Sequence, residues 1–179
     1  MHTDMHETEG GLLVPSTKIA VKGRYHGQLV RGGEVVDEFE DENIVVNEGL
    51  NALLDIMFHN SLQVGTWYLG VFEGNYTPVA GVTAATIVGD STESAAYDES
   101  ARPAFNEAAA SGQTISNTAN RATFTFNATK TIYGAFLVSS PTKGGTSGTL
   151  FSAARFSSAK SVVNEDQLLL AYTFSAASL

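Results

Sequence analysis

The last third of the chain limits the fold more than any other part. Ala122, Phe124 and Phe126 alternate with Thr123, Thr125 and Asn127, the period-two pattern of a half-buried strand. Further apolar segments follow at 132–138, 150–156 and 168–174. Turn residues separate them at Asn127-Ala128, between Pro141 and Gly148, and at Asn164-Glu165-Asp166. Short strands at such spacing are joined by hairpins and short crossings, not by crossover helices. The pattern therefore predicts a mainly β chain. It is expected to be an antiparallel β-sandwich, of which a jelly roll is one form, rather than a parallel α/β sheet.

The first half fits the same architecture. Ile19, Val21 and Leu29-Val30 precede Gly32-Gly33, and Val35-Val36, Phe39 and Ile44-Val45-Val46 follow. Two glycines tolerate the positive φ of a tight turn, so this stretch reads as a hairpin. One short α-helix is expected over residues 47–58. Asn47 is the expected N-cap and Glu48 complements the positive helix end, while Leu50, Leu53, Leu54 and Met57 recur at helical spacing. Residues 66–72 are apolar on both faces, which suits a strand covered on both sides. Residues 74–112, rich in Ala, Thr, Ser and Gly, read as a long connection with short strands or turns and surface that meets neighbours. Residues 1–15 read as a flexible N-terminal arm, and 16–179 as a single β-rich domain. In the arm, Leu12, Leu13 and Val14 lie between Gly10-Gly11 and Pro15. Three consecutive aliphatics so placed are either a frayed end or a protein-docking patch.

Charge and composition exclude several classes of function. The net charge is −9, ten of the 19 acids lie in the first 48 residues, and no Lys or Arg occurs between Arg31 and Arg102. Nucleic-acid binding needs clustered positive charge, so neither direct nucleic-acid contact nor an anionic membrane surface is expected. No apolar run has the roughly 18 residues of a membrane span, and the polar, acidic start does not resemble a secretory signal. With no cysteine, disulfides and thiolate chemistry are absent, and stability must come from packing or oligomerisation.

Residues of catalytic type are present but do not form patterns that carry chemistry. His2 and His6 have metal-like spacing, but on an arm that gives no preorganisation. The six carboxylates between Glu34 and Glu42 lack the spacing of a calcium loop. On a strand Asp37 and Asp41 would face away from Glu38, Glu40 and Glu42. We read this segment as a solvated acidic face, or as an edge strand whose charges deter unwanted pairing. Gly144-Gly145-Thr146-Ser147-Gly148 lacks the G-x-x-x-x-G-K-[ST] spacing of a phosphate loop, opens no helix and reads as a hairpin turn. Asp98 and Glu99 are adjacent and would point apart if extended. Trp67 reads as core. No enzyme activity, metal or cofactor is expected.

Three stretches together resemble small structural proteins encoded among the virion genes of tailed bacteriophages. The first is Asn47-Glu48-Gly49-Leu50-Asn51-Ala52-Leu53-Leu54-Asp55 with Trp67-Tyr68-Leu69-Gly70. The second is Tyr97-Asp98-Glu99-Ser100-Ala101-Arg102-Pro103-Ala104-Phe105. The third is Lys143-Gly144-Gly145-Thr146-Ser147-Gly148-Thr149-Leu150, with Glu165-Asp166-Gln167-Leu168 after it. In the last step Glu165 stands where the pattern has glycine. The resemblance implies a virion component assembled in the host cytoplasm. The expected role is a capsid decoration (cement) protein, a homotrimer that stabilises the head by packing against the major capsid protein or other virion proteins. A tail, collar or baseplate component, including a host-binding one, is the alternative. Leu12, Leu13 and Val14 are the expected protein-interface residues.

Overall fold

The computed structural model describes residues 18–178 and, ahead of them, the backbone of the segments 5–7 and 13–15. Those two segments are short strands, β1 (Met5–Glu7) and β2 (Leu13–Pro15), paired antiparallel with His6 opposite Val14. Leu12 lies outside the described residues, as do the side chains of Leu13 and Val14.

The body begins with the expected hairpin. Strands β3 (Ile19–Arg31) and β4 (Glu34–Glu42) are joined by Gly32 and Gly33 at φ of 59° and 87°. Positive φ at both central positions matches the right-handed twist of the flanking strands, which explains the glycine pair. The chain then leaves this sheet through β5 (Ile44–Val45) and enters α1 (Asn47–Phe58). The remaining elements are β6 (Tyr68–Phe72), α2 (Ala84–Ser91), β7 (Thr114–Ser116), β8 (Ala122–Thr125), β9 (Lys130–Val138), β10 (Leu150–Val162) and β11 (Gln167–Ser178).

Two antiparallel sheets result. One runs β5-β10-β9-β6; the other runs β4-β3-β11-β7, with β8 also paired to β11. The sheets meet face to face. Tyr25 of β3 reaches Ser152 of β10 (hydroxyl to Oγ, 2.9 Å), and Phe39 of β4 stacks on Phe156 of β10 with ring centroids 4.6 Å apart. The fold is a mainly β antiparallel sandwich. Strands β3–β4 and β9–β10 pair as hairpins within their sheets, while the connections β4–β5, β8–β9 and β10–β11 pass from one sheet to the other.

The core has two parts. The larger lies between the sheets and includes Tyr25, Leu69, Val71, Phe124, Phe126, Ile132, Phe156, Leu168 and Tyr172. The second lies on the outer side of the β5-β10-β9-β6 sheet, where Val82, Ala84 and Ile87 cover Phe72, Phe136, Val138, Leu150 and Ala153. That sheet is therefore buried on both faces, which is why 66–72 carries no polar alternation.

Two expectations need correction. The fold has a second helix, α2, inside the stretch read as strands or turns. Ala84, Ile87 and Ser91 are its buried residues and fall at i, i+3 and i+7, a periodicity obscured by β-branched Thr86, Ile87 and Val88 and by Gly89. Asn47 is not the N-cap of α1. Val46 holds that position in extended geometry, and the Asn47 N–H donates to Ala80 O at 2.9 Å.

Candidate functional site

The residues that carry the virion resemblance are far apart in the chain but bonded to one another in space. Their meeting point is the connection between β9 and β10, residues 139–149. Arg102 enters it from the second stretch with its side chain fully buried. Its Nε and Nη2 donate to the two carboxylate oxygens of Glu93, each at 2.7 Å. The remaining donors reach Ser140 O and Gly145 O, both at 3.0 Å. A planar five-donor fork suits such a position because it can satisfy a carboxylate and two carbonyls at once. Glu93 also accepts from Gly144 N at 2.8 Å.

Lys143 ties the same connection to the second stretch. Its Nζ donates to Tyr97 O at 2.6 Å and lies 3.7 Å from the centroid of the Tyr97 ring. Burial lowers the Lys143 pKa, against the opposing pull of Glu99, Asp98 and Glu93. Burial also holds the Tyr97 hydroxyl well above its ordinary value, with Glu93 adding to the effect. Glu99 accepts from Thr125 N, and Asp98 from the Asn127 side chain at 3.1 Å. The adjacent carboxylates thus point to different partners, as the sequence suggested.

The first stretch joins through Glu48. Its Oε2 accepts from Leu150 N at 2.7 Å and from Ala84 N at 2.8 Å. Ala84 is the first residue of α2, so the carboxylate sits at the positive end of that second helix. Gly49 beside it is buried because α1 lies directly on β10: a Cβ there would sit 2.4 Å from Phe151 O. The step after β10 also closes the pattern. Glu165, where glycine was expected, adopts φ 69°, the left-handed conformation that glycine takes most easily. Asp166 then caps the turn by accepting from Val163 N and holds Arg31 through two bonds of 2.9 and 2.7 Å. The Arg31 hydrogen bonds keep the Asp166 carboxyl below the usual range.

The acidic segment divides by face. Asp37 pairs with Lys160 at 2.9 Å, and Asp41 is buried and accepts from Ser157 N. Glu38 and Glu40 face outward to His26 and Gln28 and to Arg24, and the hydrogen bonds from Gln28 and His26 lower the Glu38 pKa. Among the described residues, no three or more His, Asp or Glu side chains are grouped to hold a metal ion.

Two surfaces remain that could meet another molecule. At one open end of the sandwich Trp67, Phe105, Ile115, Phe151 and Phe174 line an indentation of about 350 Å³. Trp67 is half-buried edge-on to Phe151 with ring centroids 5.5 Å apart, so it belongs to the rim of the core. The second surface is the outer side of α1, where Leu54, Met57 and Phe58 face solvent. The 3.6-residue period predicted the helix, but it could not say that the apolar row would be left uncovered. Of the expected interface residues, Leu13 and Val14 lie in β2, and Leu12 lies outside the described residues. No described helix is long and apolar enough to cross a membrane. No protein-family model matches the chain, and neither does any curated protein.

Proposed function

We propose that this chain is a non-enzymatic structural component of a tailed-phage particle. In this reading it is a capsid decoration protein, acting as a homotrimer that stabilises the head by packing against capsid subunits. One observation carries the reading. The three stretches that resemble virion proteins supply Glu48, Arg102, Lys143 and Tyr97, and all four bond to, or belong to, the framework around residues 139–150. The pattern therefore describes a scaffold. Its polar groups are spent on holding loops, which suits a protein that works by presenting surface.

Cryo-electron microscopy of the particle, with and without this chain, tests the proposal. Density for the sandwich at repeated head positions, and heads that break at lower temperature without it, is the expected result. Density confined to the tail, collar or baseplate would replace the decoration role with the alternative. Absence from the particle would end the proposal.

Leu12, Leu13 and Val14 are the proposed contacts with the neighbour. Burying each aliphatic side chain contributes about 1.5–3 kcal/mol before ordering costs. Deleting residues 2–14 is expected to leave the melting temperature of the isolated protein nearly unchanged and to weaken particle binding. Full occupancy by the truncated chain would show that the segment makes no contact that matters.

A further inference from the structure

Helix α1 has two unlike sides: Gly49 is buried and Ala52, Leu53 and Ile56 are half-buried on the inner one, while the outer one is open. Its first turn is fixed by Asn47 N–H to Ala80 O, by the Glu48 carboxylate and by the close approach of Gly49 to Phe151. Gly49 is the one residue of the helix that is fully buried. Beyond that turn Leu54 is 56%, Met57 64% and Phe58 81% exposed, and Leu62, just past the helix, is 94% exposed. Leu50, Leu54, Met57 and Phe58 fall at i, i+4, i+7 and i+8, so they form one row. A 12-residue helix is marginal in water by itself and draws its stability from a packed apolar face. Here Gly49, Ala52, Leu53 and Ile56 supply that inner face, and Leu54, Met57 and Phe58 are a second apolar row left facing outward.

We infer that a second copy of this chain packs on the outer face of α1. The inference rests on the homo-oligomeric part of the proposed function; in a homotrimer the same face of three copies meets around the threefold axis. Size is the first reason. The exposed side chains Leu54, Met57, Phe58 and Leu62 present on the order of 500 Å² of surface, at the upper end of what monomers leave open. A stable specific interface buries about 1,200 Å² or more in total. A contact centred on this patch approaches that area only if the partner brings a comparable apolar patch, and a second copy does so by construction.

Charge is the second reason. Each copy carries −9, and the outward side of β4 presents Glu38, Glu40 and Glu42. Two such molecules repel unless they meet through a face with little charge. From residue 49 to residue 72 the chain has one ionisable acid, Asp55, and no Lys or Arg. The α1 face is thus apolar and nearly uncharged on a molecule that is otherwise acidic.

Sedimentation velocity of the purified full chain over a range of concentrations tests the inference. The wild type should associate reversibly. Leu54→Glu with Phe58→Glu should weaken association by at least about a hundredfold, because a carboxylate buried in an apolar contact loses its hydration without gaining a partner. Both positions are exposed in the single chain, so circular dichroism and melting of the dilute protein should not change. The natural chain has no cysteine, which permits a second readout. Met57→Cys should form a disulfide-linked dimer under mild oxidation, whereas Thr118→Cys, on an exposed loop, should not. A wild type that sediments as a monomer throughout would overturn the inference. So would a double variant that associates like wild type, or cross-linking at residue 118 but not at 57. The virion reading fails separately, if copies associate through α1 in solution but the chain is missing from particles.

Discussion

Arg102 shows how much of this fold hangs on single polar side chains. It is among the largest fully buried side chains of the molecule, and its guanidinium joins Glu93, Ser140 and Gly145. Removing one partner of a buried pair leaves the other charged and dry. Arg102→Met is therefore expected to cost about 3–5 kcal/mol, and Arg102→Met with Glu93→Leu less than the single change. A double-mutant cycle by urea unfolding measures both. Equal losses for the single and double variants would mean that the carbonyl contacts matter more than the ion pair. The sequence showed Arg102 as part of a pattern, but not that it would be buried. Its partner lies nine residues upstream in a stretch without regular period, so no spacing rule could have paired them. Glu165 was more legible, because glycine was the expected residue and the structure holds it at φ 69°.

At the level of the element, two glycines in two helices have opposite meanings. Both weaken their helices by intrinsic preference. Gly49 lies against the backbone of Phe151, whereas a Cβ on Gly89 of α2 would meet nothing within 4 Å. Gly89→Ala is expected to stabilise by about 0.5–1 kcal/mol through helix propensity. Gly49→Ala should destabilise by about 1–3 kcal/mol despite the same propensity gain, since the added methyl meets main chain and the helix must move off β10. Chemical denaturation of both variants checks the signs. The helix at 47–58 was legible from apolar spacing. Gly49, unfavourable by propensity, is where the start of the helix meets β10. Helix α2 was missed because β-branched residues and a glycine hid a weak period, and because its stability comes from covering the outer sheet face.

Across the whole molecule, the two sheets are joined by buried tyrosines as well as by hydrocarbon. Tyr25 reaches Ser152 of the opposite sheet, and its ring lies 4.8 Å from that of Tyr172. Burial pushes the Tyr172 hydroxyl up to about 12 and raises Tyr25 and Tyr97 well above the ordinary value. An acid whose folded pKa lies above its unfolded value contributes no pH dependence below the unfolded pKa and loses stability as pH rises above it. For Tyr172 alone that loss reaches about 2–3 kcal/mol between roughly pH 10 and 12. Absorbance at 295 nm should therefore show fewer than six tyrosines ionising in the folded protein near pH 10.5. The rest should appear together with loss of the circular dichroism signal as pH rises further. Smooth ionisation of all six with structure retained would contradict this account of the core.

The local pattern of residues determined the strands, the Gly32-Gly33 turn, helix α1 and the antiparallel character of the sheets. Each of these follows from backbone sterics and side-chain period within about ten residues. Only the tertiary structure decided which face of each element is covered, because covering depends on surfaces distant in the chain. Thus residues 69–72 of β6 are buried on both sides because α2 closes the outer face of their sheet. The row of Leu54, Met57 and Phe58 is exposed because none of the described elements is folded over it. The Glu48 carboxylate serves a helix 36 residues away, because a hydrogen bond depends on distance in space and not on position in sequence.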